Sequence, residues 1–214
     1  MKIDYITADT HFGHSNILDY EPMRLKKAKS MGYDSFDDFM VDIWNDTVQK
    51  GDKVLHLGDF AFKDGYKIAQ KLNGDITLLI GNHDKRGHVK FYKKLGWKII
   101  DKITLDIPKA HIVVNSLKKE FSKEELSESL LACLVCDLKD KRVMFSHFPV
   151  FDDNPYDKKY SKITKVLEYI FKETKCDINF HGHTHSKRAK ESFCKSVCLE
   201  LNDFKICELK SLLI

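Results

Sequence analysis

The chain contains, at residues 76–84, the sequence ITLLIGNHD, in which a mainly apolar run leads directly into Gly81, Asn82, His83 and Asp84. A continuous apolar run of this length is typical of a β-strand buried on both faces of a sheet. Gly81 allows a sharp turn where the strand ends, so the three polar side chains would lie at the edge of the sheet. The segment therefore predicts an α/β sheet with chemically active residues at a strand end.

Four further apolar runs end in residues that can bind a metal ion. The runs cover residues 3–8, 53–57, 143–145 and 177–180, and the candidate ligands that follow them are Asp9, His11, Asp59, His147, His183 and His185. Asp9 and His11 are two residues apart, so on extended backbone both side chains point to the same side. His183 and His185 have the same spacing. Together with Asn82, these residues predict one site built from five strand ends.

The residue types favour a pair of divalent transition-metal ions. Imidazole and carboxylate groups suit Mn, Fe, Zn or Ni, whereas an all-oxygen set would suit Mg or Ca. Two such ions, roughly 3.5–4 Å apart, need a bridging carboxylate and a shell of nitrogen and oxygen ligands. A hydrogen-bonded loop position is the simpler explanation for any one of these residues. Their recurrence at five strand ends favours the shared metal site.

The rest of the chain alternates between helical and strand-like patterns and predicts a single domain over residues 1–214. Helices are predicted from Ser35, where acidic residues fill the first turn, and over 66–72, 89–95 and 163–171. Strand-like segments cover 97–107 and a hairpin of 131–138 with 142–145, and two short strands are predicted around 202–203 in the tail 196–209. Residues 109–129 predict an inserted surface helix or a lid, with a possible capping box at Ser122 and Glu125.

Composition places the chain among ordinary globular proteins. Apolar residues make up 43% and charged residues 32%, and no apolar stretch approaches the ~20 residues that cross a bilayer. Asp4 lies where a signal peptide would have its apolar segment, so we expect a cytoplasmic protein without membrane contact. The net charge of +4 is compatible with an anionic substrate but is too small to indicate a nucleic-acid-binding protein.

The ordered set Asp-x-His, Gly-Asp, Gly-Asn-His-Asp, a later His and Gly-His-x-His resembles the calcineurin-like metallophosphoesterase superfamily, over residues 9–185. The longer segment DTHFGHSNI, residues 9–17, is similar to a group of small bacterial and phage members. The resemblance implies a four-layer α/β/β/α sandwich, in which two mixed sheets are flanked by helices. It also implies hydrolysis of phosphate esters at a binuclear metal centre.

The same resemblance implies a role for each motif residue. One metal ion would be bound by Asp9, His11, Asp59 and His185. The other would be bound by Asp59, Asn82, His147 and His183, so that Asp59 bridges the two. A hydroxide shared by the ions would attack phosphorus in line, His83 would protonate the leaving oxygen and Asp84 would orient His83. This agrees with the chemistry of metal-activated water and of imidazole as a proton donor.

Several other residues have two explanations. His14 is close in sequence to Asp9 and His11 and could contact substrate phosphate, or it could form a structural hydrogen bond in its turn. Lys85 and Arg86 could steer a phosphorylated substrate, although most basic runs are solvated helix faces. We expect His56 and His181 to be packing residues or partners of the ligands. Cys133 and Cys136 lie inside an apolar run and are interpreted as buried free thiols rather than a zinc or redox site.

The favoured substrate is a phosphodiester, carried by a phosphorylated small molecule or nucleotide. Protein phosphatases of the superfamily carry Gly-Asp-x-x-Asp-Arg-Gly, with arginines that grip a monoester dianion, whereas this chain has Gly-Asp-Phe-Ala-Phe at residues 58–62. The alternatives are a metal-dependent nuclease acting on DNA or RNA and a scaffold that kept the fold but lost catalysis.

Overall fold

The structure is a computed structural model that describes residues 2–151 and 160–213. Within these residues, the first of two sheets contains β1 (Tyr5–Thr7), β2 (Lys53–His56), β3 (Asp75–Leu79), β4 (Lys98–Ile100) and β10 (Cys207–Glu208). Its strand order is β10-β1-β2-β3-β4. Strands β1 to β4 are parallel, and β10 pairs antiparallel with β1. The parallel strands therefore end at the same edge.

The second sheet contains β5 (Ile103–Asp106), β6 (Cys133–Leu138), β7 (Lys141–Ser146), β8 (Ile178–His181) and β9 (Cys194–Ser196), in sequence order across the sheet. The predicted hairpin is the antiparallel pair β6–β7, and the remaining pairs in this sheet are parallel. Both sheets are mixed, which confirms the predicted fold class. Strands β7 and β8 end side by side, just as β1, β2 and β3 do in the first sheet.

Helices cover the two outer faces. Their bounds are α1 Ile17–Tyr20, α2 Met23–Ser30, α3 Phe36–Thr47, α4 Arg86–Lys94, α5 Ala110–Glu120, α6 Lys123–Leu126, α7 Ser161–Thr174 and α8 Leu209–Leu212, with 3₁₀ helices at Lys63–Lys71, Ser129–Leu131 and Leu199–Asn202. Helix α3 begins as predicted, because the Ser35 hydroxyl accepts a hydrogen bond from the Asp38 backbone N–H (3.3 Å). Among the described residues, no helix is both long enough and apolar enough to cross a membrane.

Alternation along β6 shows how the second sheet lies between two cores. Leu134 and Cys136 belong to the core that the two sheets share, whereas Cys133 and Val135 belong to a second core beneath α5 and α7. Successive side chains of a strand point to opposite faces, so one strand contributes to both cores. The order of layers is therefore helices, first sheet, second sheet, helices.

Three predictions about elements need correction or refinement. The predicted strand over 97–107 is two strands, β4 and β5, which lie in different sheets and are joined at residues 101–102. The predicted helix over 66–72 is a 3₁₀ helix, Lys63–Lys71. In the tail, the segment around 202–203 ends a 3₁₀ helix rather than joining two strands directly. Short patterns do not show which sheet a strand joins or which kind of helix forms.

The segment 109–129 forms two helices on the outer face of the second sheet. Val113 and Leu117 of α5 are buried in the second core. Helix α6 has the predicted capping box, since the Ser122 backbone N–H donates to Glu125 Oε2 (2.9 Å) and the Glu125 N–H donates to Ser122 Oγ (3.2 Å). Because side chains of α5 are buried in this core, the segment 109–129 is better described as an inserted helix than as a lid.

Candidate metal centre

Loops from both sheets meet at one edge of the sandwich. The Asp9 N–H donates to the Gly58 carbonyl (3.0 Å), which joins the loops after β1 and β2. The two sheets are joined by His147, whose Nδ1 lies 2.8 Å from the Leu57 carbonyl oxygen, and by the His183 N–H, which donates to Asp9 Oδ2 (2.8 Å). The five predicted strand ends therefore form one site.

The backbone is strained where it presents the candidate ligands. Five of them have left-handed φ angles between 49° and 68°: Asp9, His11, Asp59, His183 and His185. Such conformations cost on the order of 1 kcal/mol or more each, and they persist where the surrounding structure enforces them. Close packing is one such constraint. A Cβ at Gly81 would lie 2.3 Å from Asp59 Oδ1, and a Cβ at Gly182 would lie 2.4 Å from Asp9 Oδ2.

Asp9, His11 and His185 form the first group of candidate ligands. Their ligand atoms all lie within 4.8 Å of one another. His11 Nε2 is 3.7 Å from Asp9 Oδ1, and His185 Nε2 is 3.9 Å from the same oxygen. These separations are too long for hydrogen bonds. They suit two ligands that each lie about 2.1 Å from one cation.

Asn82, His147 and His183 form the second group. Asn82 Oδ1 lies 2.8 Å from His147 Nε2 and 3.1 Å from His183 Nδ1. Asp59 lies between the groups, because its Oδ2 is 3.7 Å from His11 Nε2 and 3.6 Å from His147 Nε2. The structure thus brings all seven predicted ligands together, with Asp59 between the two groups.

Two buried atoms of this cluster test whether its residues fit a cation. Asp9 Oδ1 and His11 Nε2 have no hydrogen-bond partner among the described residues. Burial lowers the pKa of His11 to about 3, so its ring is neutral and its nitrogen can act as a ligand. Burial and the negative charge of Asp9 raise the pKa of Asp59 well above its ordinary value. A divalent cation would supply the missing partner and favour the ionised carboxylates, so the residues fit a metal.

His83 lies at the rim of the centre, with about half of its side chain exposed. Its backbone N–H donates to Asp59 Oδ1 (2.8 Å), and its Nε2 is 4.0 Å from Asp59 Oδ2. Burial, followed by the charge of His147, lowers the pKa of His83 to about 4. The ring is therefore neutral near pH 7 in the protein alone.

Asp84 makes contacts that differ from those the resemblance implies. Its carboxylate accepts hydrogen bonds from the backbone N–H groups of Asp59, Phe60 and Gly81, at 2.9, 3.1 and 2.8 Å. Within residues 2–151 and 160–213, none of its hydrogen bonds goes to the His83 ring. Burial, together with the charge of Asp59, raises the pKa of Asp84 to about 7. Asp84 therefore orders the loops that carry Asp59 and Asn82 instead of orienting His83.

Of the three candidate substrate residues, only His14 touches the centre. Its Nδ1 lies 3.1 Å from His11 Nδ1, and its ring stacks on Phe62 with 3.7 Å between centroids. Lys85 and Arg86 are exposed, and neither contacts a candidate ligand in the part of the chain that the structure describes. Arg86 is the first residue of α4, where its side chain is part of a solvated face.

His56, His181, Cys133 and Cys136 lie inside the protein or along its strands. His56 is buried and lies 3.1 Å from Thr10 Oγ1, while its Nδ1 accepts a hydrogen bond from the Gly58 N–H (3.2 Å). His181 is also buried, with Nδ1 2.9 Å from the Gly182 carbonyl oxygen. Cys133 and Cys136 are free thiols on opposite faces of β6, so they cannot share an ion.

Comparison with known proteins identifies the family. Residues 1–199 match the model of the calcineurin-like phosphoesterase superfamily domain. The chain belongs to this superfamily. An uncharacterised protein of Methanocaldococcus jannaschii is 33% identical over 92 residues, a match that covers 41% of this chain and about half (49%) of that protein.

Solved structures are similar in fold. A protein of unknown function from Aquifex aeolicus matches with a TM-score of 0.67 and 23% identity, and the match covers 98% of each chain. An archaeal phosphodiesterase is more distantly similar, with a TM-score of 0.42 and 22% identity over 92% of this chain and 82% of its own. At these identities the likeness concerns the fold of the phosphoesterase domain alone.

Sequence reasoning missed three charged residues beside the candidate metal centre. Arg24 is fully buried and donates to the carbonyl oxygens of Asp9 (2.7 Å) and Thr10 (2.9 Å). Glu21 and Glu200 lie near His185, and the ligand atoms of these three residues are within 4.8 Å of one another. No local motif marks these residues. Only the folded chain brings Glu200 next to residues that lie far from it in sequence.

Proposed function

We propose that this chain is a binuclear metal-dependent phosphodiesterase with Asp59 as the bridging ligand. The observation that carries the proposal is the position of Asp59 Oδ2, 3.7 Å from His11 in one ligand group and 3.6 Å from His147 in the other. Two divalent transition-metal ions bound there would activate water for attack on phosphorus and neutralise phosphate oxygens. Membership of the phosphoesterase superfamily supports the reaction class.

His83 is the proposed general acid. It lies beside the centre, with its Nε2 4.0 Å from Asp59 Oδ2 and enough of its side chain exposed to meet a substrate. A protonated ring would transfer a proton to the leaving oxygen. A neutral ring, which its pKa of about 4 favours in the protein alone, would instead donate a hydrogen bond from N–H to a phosphate oxygen. The two roles predict that the activity lost when His83 is replaced depends on the leaving group in one case and not in the other.

The position of Arg24 supports a diester over a monoester substrate. This arginine is fully buried and pairs with Glu200, so its guanidinium is not available to grip a phosphate dianion. Residues 58–62 bring no arginine to the centre either. A diester carries a single negative charge on its phosphate, so it needs less neutralisation by arginine than a monoester dianion does.

A cavity beside His11 supports a small-molecule or nucleotide substrate. Its volume is about 350 Å³, and its lining includes His11, His14, Ile17, Leu18, Phe36 and Asp37. Ligand sites of this size combine apolar walls with a few polar groups that fix orientation. One side of the diester, such as a nucleoside, would occupy this cavity while the phosphate lies at the metals.

The proposal is tested by turnover of cyclic nucleotides, dinucleotides, RNA and phosphomonoesters, each with Mn, Ni, Zn and Mg in turn. We expect diester hydrolysis with a transition metal, and Asp59→Asn should abolish it while lowering metal content more than any other single ligand change. Near-normal turnover of Asp59→Asn would contradict the two-metal assignment. Preference for long polynucleotides, with affinity that falls steeply with salt, would identify a nuclease. Purification without stoichiometric transition metal would identify a scaffold.

A further inference from the structure

Arg24 joins three separate parts of the chain beneath the metal centre. From α2 it donates to the carbonyl oxygens of Asp9 and Thr10, which follow β1. Its Nε donates to Glu200 Oε1 (2.7 Å), and its Nη2 lies 2.5 Å from the same oxygen. Both side chains are fully buried. An ion pair held in this way has a fixed geometry, because each charge depends on the other for solvation.

The Glu200 carboxylate also reaches a candidate metal ligand. Its Oε1 is 3.4 Å from His185 Nδ1, while His185 Nε2 faces Asp9 at 3.9 Å. A neutral imidazole carries one N–H. If Nδ1 donates that N–H to Glu200, then Nε2 keeps its lone pair toward the centre. A carboxylate partner fixes the ring orientation of a metal-binding histidine and makes it a more basic ligand.

We propose that Glu200, held in place by Arg24, is a positioning residue that selectively strengthens the metal position formed by Asp9, His11 and His185. The inference rests on the proposed binuclear centre. The comparison with His147 explains the selectivity. Nδ1 of His147 faces a backbone carbonyl, that of Leu57, at 2.8 Å, so its orientation does not depend on a buried carboxylate.

A third cation is the competing explanation for the same residues. Glu21, His185 and Glu200 lie close enough together to hold one, and Glu200 Oε2 has no hydrogen-bond partner among the described residues. The Arg24 guanidinium, however, already supplies a positive charge to Glu200. Glu21 also has a separate partner, since Ser186 Oγ donates to its Oε1 (3.0 Å). The charge balance therefore favours positioning over a further ion.

Three variants separate these explanations. Glu200→Gln keeps a carbonyl oxygen near His185 but removes the charge. Glu200→Asp keeps the charge but draws the carboxylate back from both Arg24 and His185, which share its Oε1. Glu21→Gln is the matched control, because it neutralises a neighbouring carboxylate that bonds to Ser186 instead. Thermal unfolding of each chelated protein verifies folding. If Glu200→Gln does not fold, Glu200→Asp carries the test, since it keeps a negative charge near the buried Arg24.

The experiment is stepwise titration of the chelated proteins with Mn²⁺ by calorimetry and with Co²⁺ by visible absorption. We expect two ions per wild-type chain. Either Glu200 variant should weaken one ion by about 10–100-fold and leave the other unchanged. Glu21→Gln should bind both ions as wild type does. In a His183→Ala background, which impairs the other position, Glu200→Gln should still weaken the remaining ion.

Three results would overturn the inference: unchanged affinities in both Glu200 variants, equal weakening of both ions in a folded variant, or loss of an ion in Glu21→Gln. Three ions in the wild-type chain, one of them lost in Glu21→Gln, would establish a third cation site. Failure of the proposed function looks different, because the wild-type protein itself would then bind no pair of ions.

Discussion

At the scale of single residues, the candidate ligands are held in position at a cost in conformational energy. Asp59 combines a left-handed φ of 56° with a buried carboxyl whose pKa is raised by burial and by Asp9. Both features are unfavourable in the protein alone, and a shared pair of cations would offset the second. Residues that break local rules in this way are expected at functional sites. His83 and His56 lie near these ligands, and the burial of each leads to a testable prediction.

Replacement of His83 should distinguish proton transfer from phosphate binding. A ribose alkoxide is a poor leaving group without a proton, whereas a nitrophenolate needs little help. If His83 is the general acid, His83→Ala should lower hydrolysis of a nucleotide diester by about 10²–10⁴-fold and spare much of the activity on bis-nitrophenyl phosphate. Steady-state kinetics with both substrates, together with metal analysis, measure this.

The control for that experiment is His147→Ala, which removes a candidate metal ligand and should impair both substrates alike. Metal content should stay normal in the His83 variant. Equal losses on the two substrates, with both metals bound, would show that His83 binds phosphate through a neutral N–H instead.

His56 should make stability depend on pH. Burial lowers its pKa to about 3, whereas the unfolded residue has a pKa near 6.5, so between these values the unfolded state binds more protons. Its contribution to stability is complete above pH 6.5 and is lost as the pH falls toward 3. In His56→Gln, the decrease in unfolding free energy from pH 6.5 to 5 should be smaller by about 1–2 kcal/mol. Denaturant unfolding of the wild type and of His56→Gln, both with chelator, measures this difference. If the unfolding free energy of the two proteins changes with pH in parallel, the prediction is wrong.

At the scale of elements, β6 shows that cysteine spacing alone does not make a site. Burial raises the pKa of the Cys133 thiol to about 12 and that of Cys136 to about 11, so neither forms a thiolate near pH 7. A Cys133→Ser, Cys136→Ser double variant should lose stability, because hydroxyls are costlier to bury than thiols. It should keep activity and both metals. Loss of a metal by a well-folded variant would disprove this interpretation.

Elements were predictable where side-chain pattern and local chemistry agree. Apolar periodicity and caps predict the strand at 76–80, helix α3 and the α6 capping box, and all three form, the strand as Asp75–Leu79. The break at residues 101–102 was not predictable, because β4 and β5 have similar composition and differ only in the sheet that each joins. Pairing partners are long-range information that a short segment does not carry.

At the scale of the whole molecule, metal binding should stabilise the fold. The candidate ligands come from both sheets, so ions bound there would join the two halves of the sandwich. Any ligand that binds only the folded state raises its stability. Exhaustive chelation should therefore lower the melting temperature by several degrees, and Mn or Zn should restore it. Calorimetry of the same sample before and after metal addition measures this. An unchanged melting curve would argue against a preformed binuclear site.

The candidate site divides into a predictable and an unpredictable part. Asp9, Asp59 and His147 each come within three residues of the end of a strand, so chain order alone suggested that they meet. The hydrogen bonds of Asp84 and the pairing of Arg24 with Glu200 depend on how loops pack after folding. These contacts carry no local signal, since Arg24 lies on a surface-like basic segment and Glu200 lies in a short 3₁₀ turn.

Because the ligands come from five loops, the order of synthesis limits when the centre can form. A chain leaving the ribosome exposes Asp9 and His11 first and His185 long afterwards, and domains fold from the N-terminal side as they emerge. Translation arrested between Asp59 and His147 would give a nascent chain with carboxylates at the first sheet and no histidine from the second. A centre that needs all five loops could therefore be completed only after residues 183–185 have emerged.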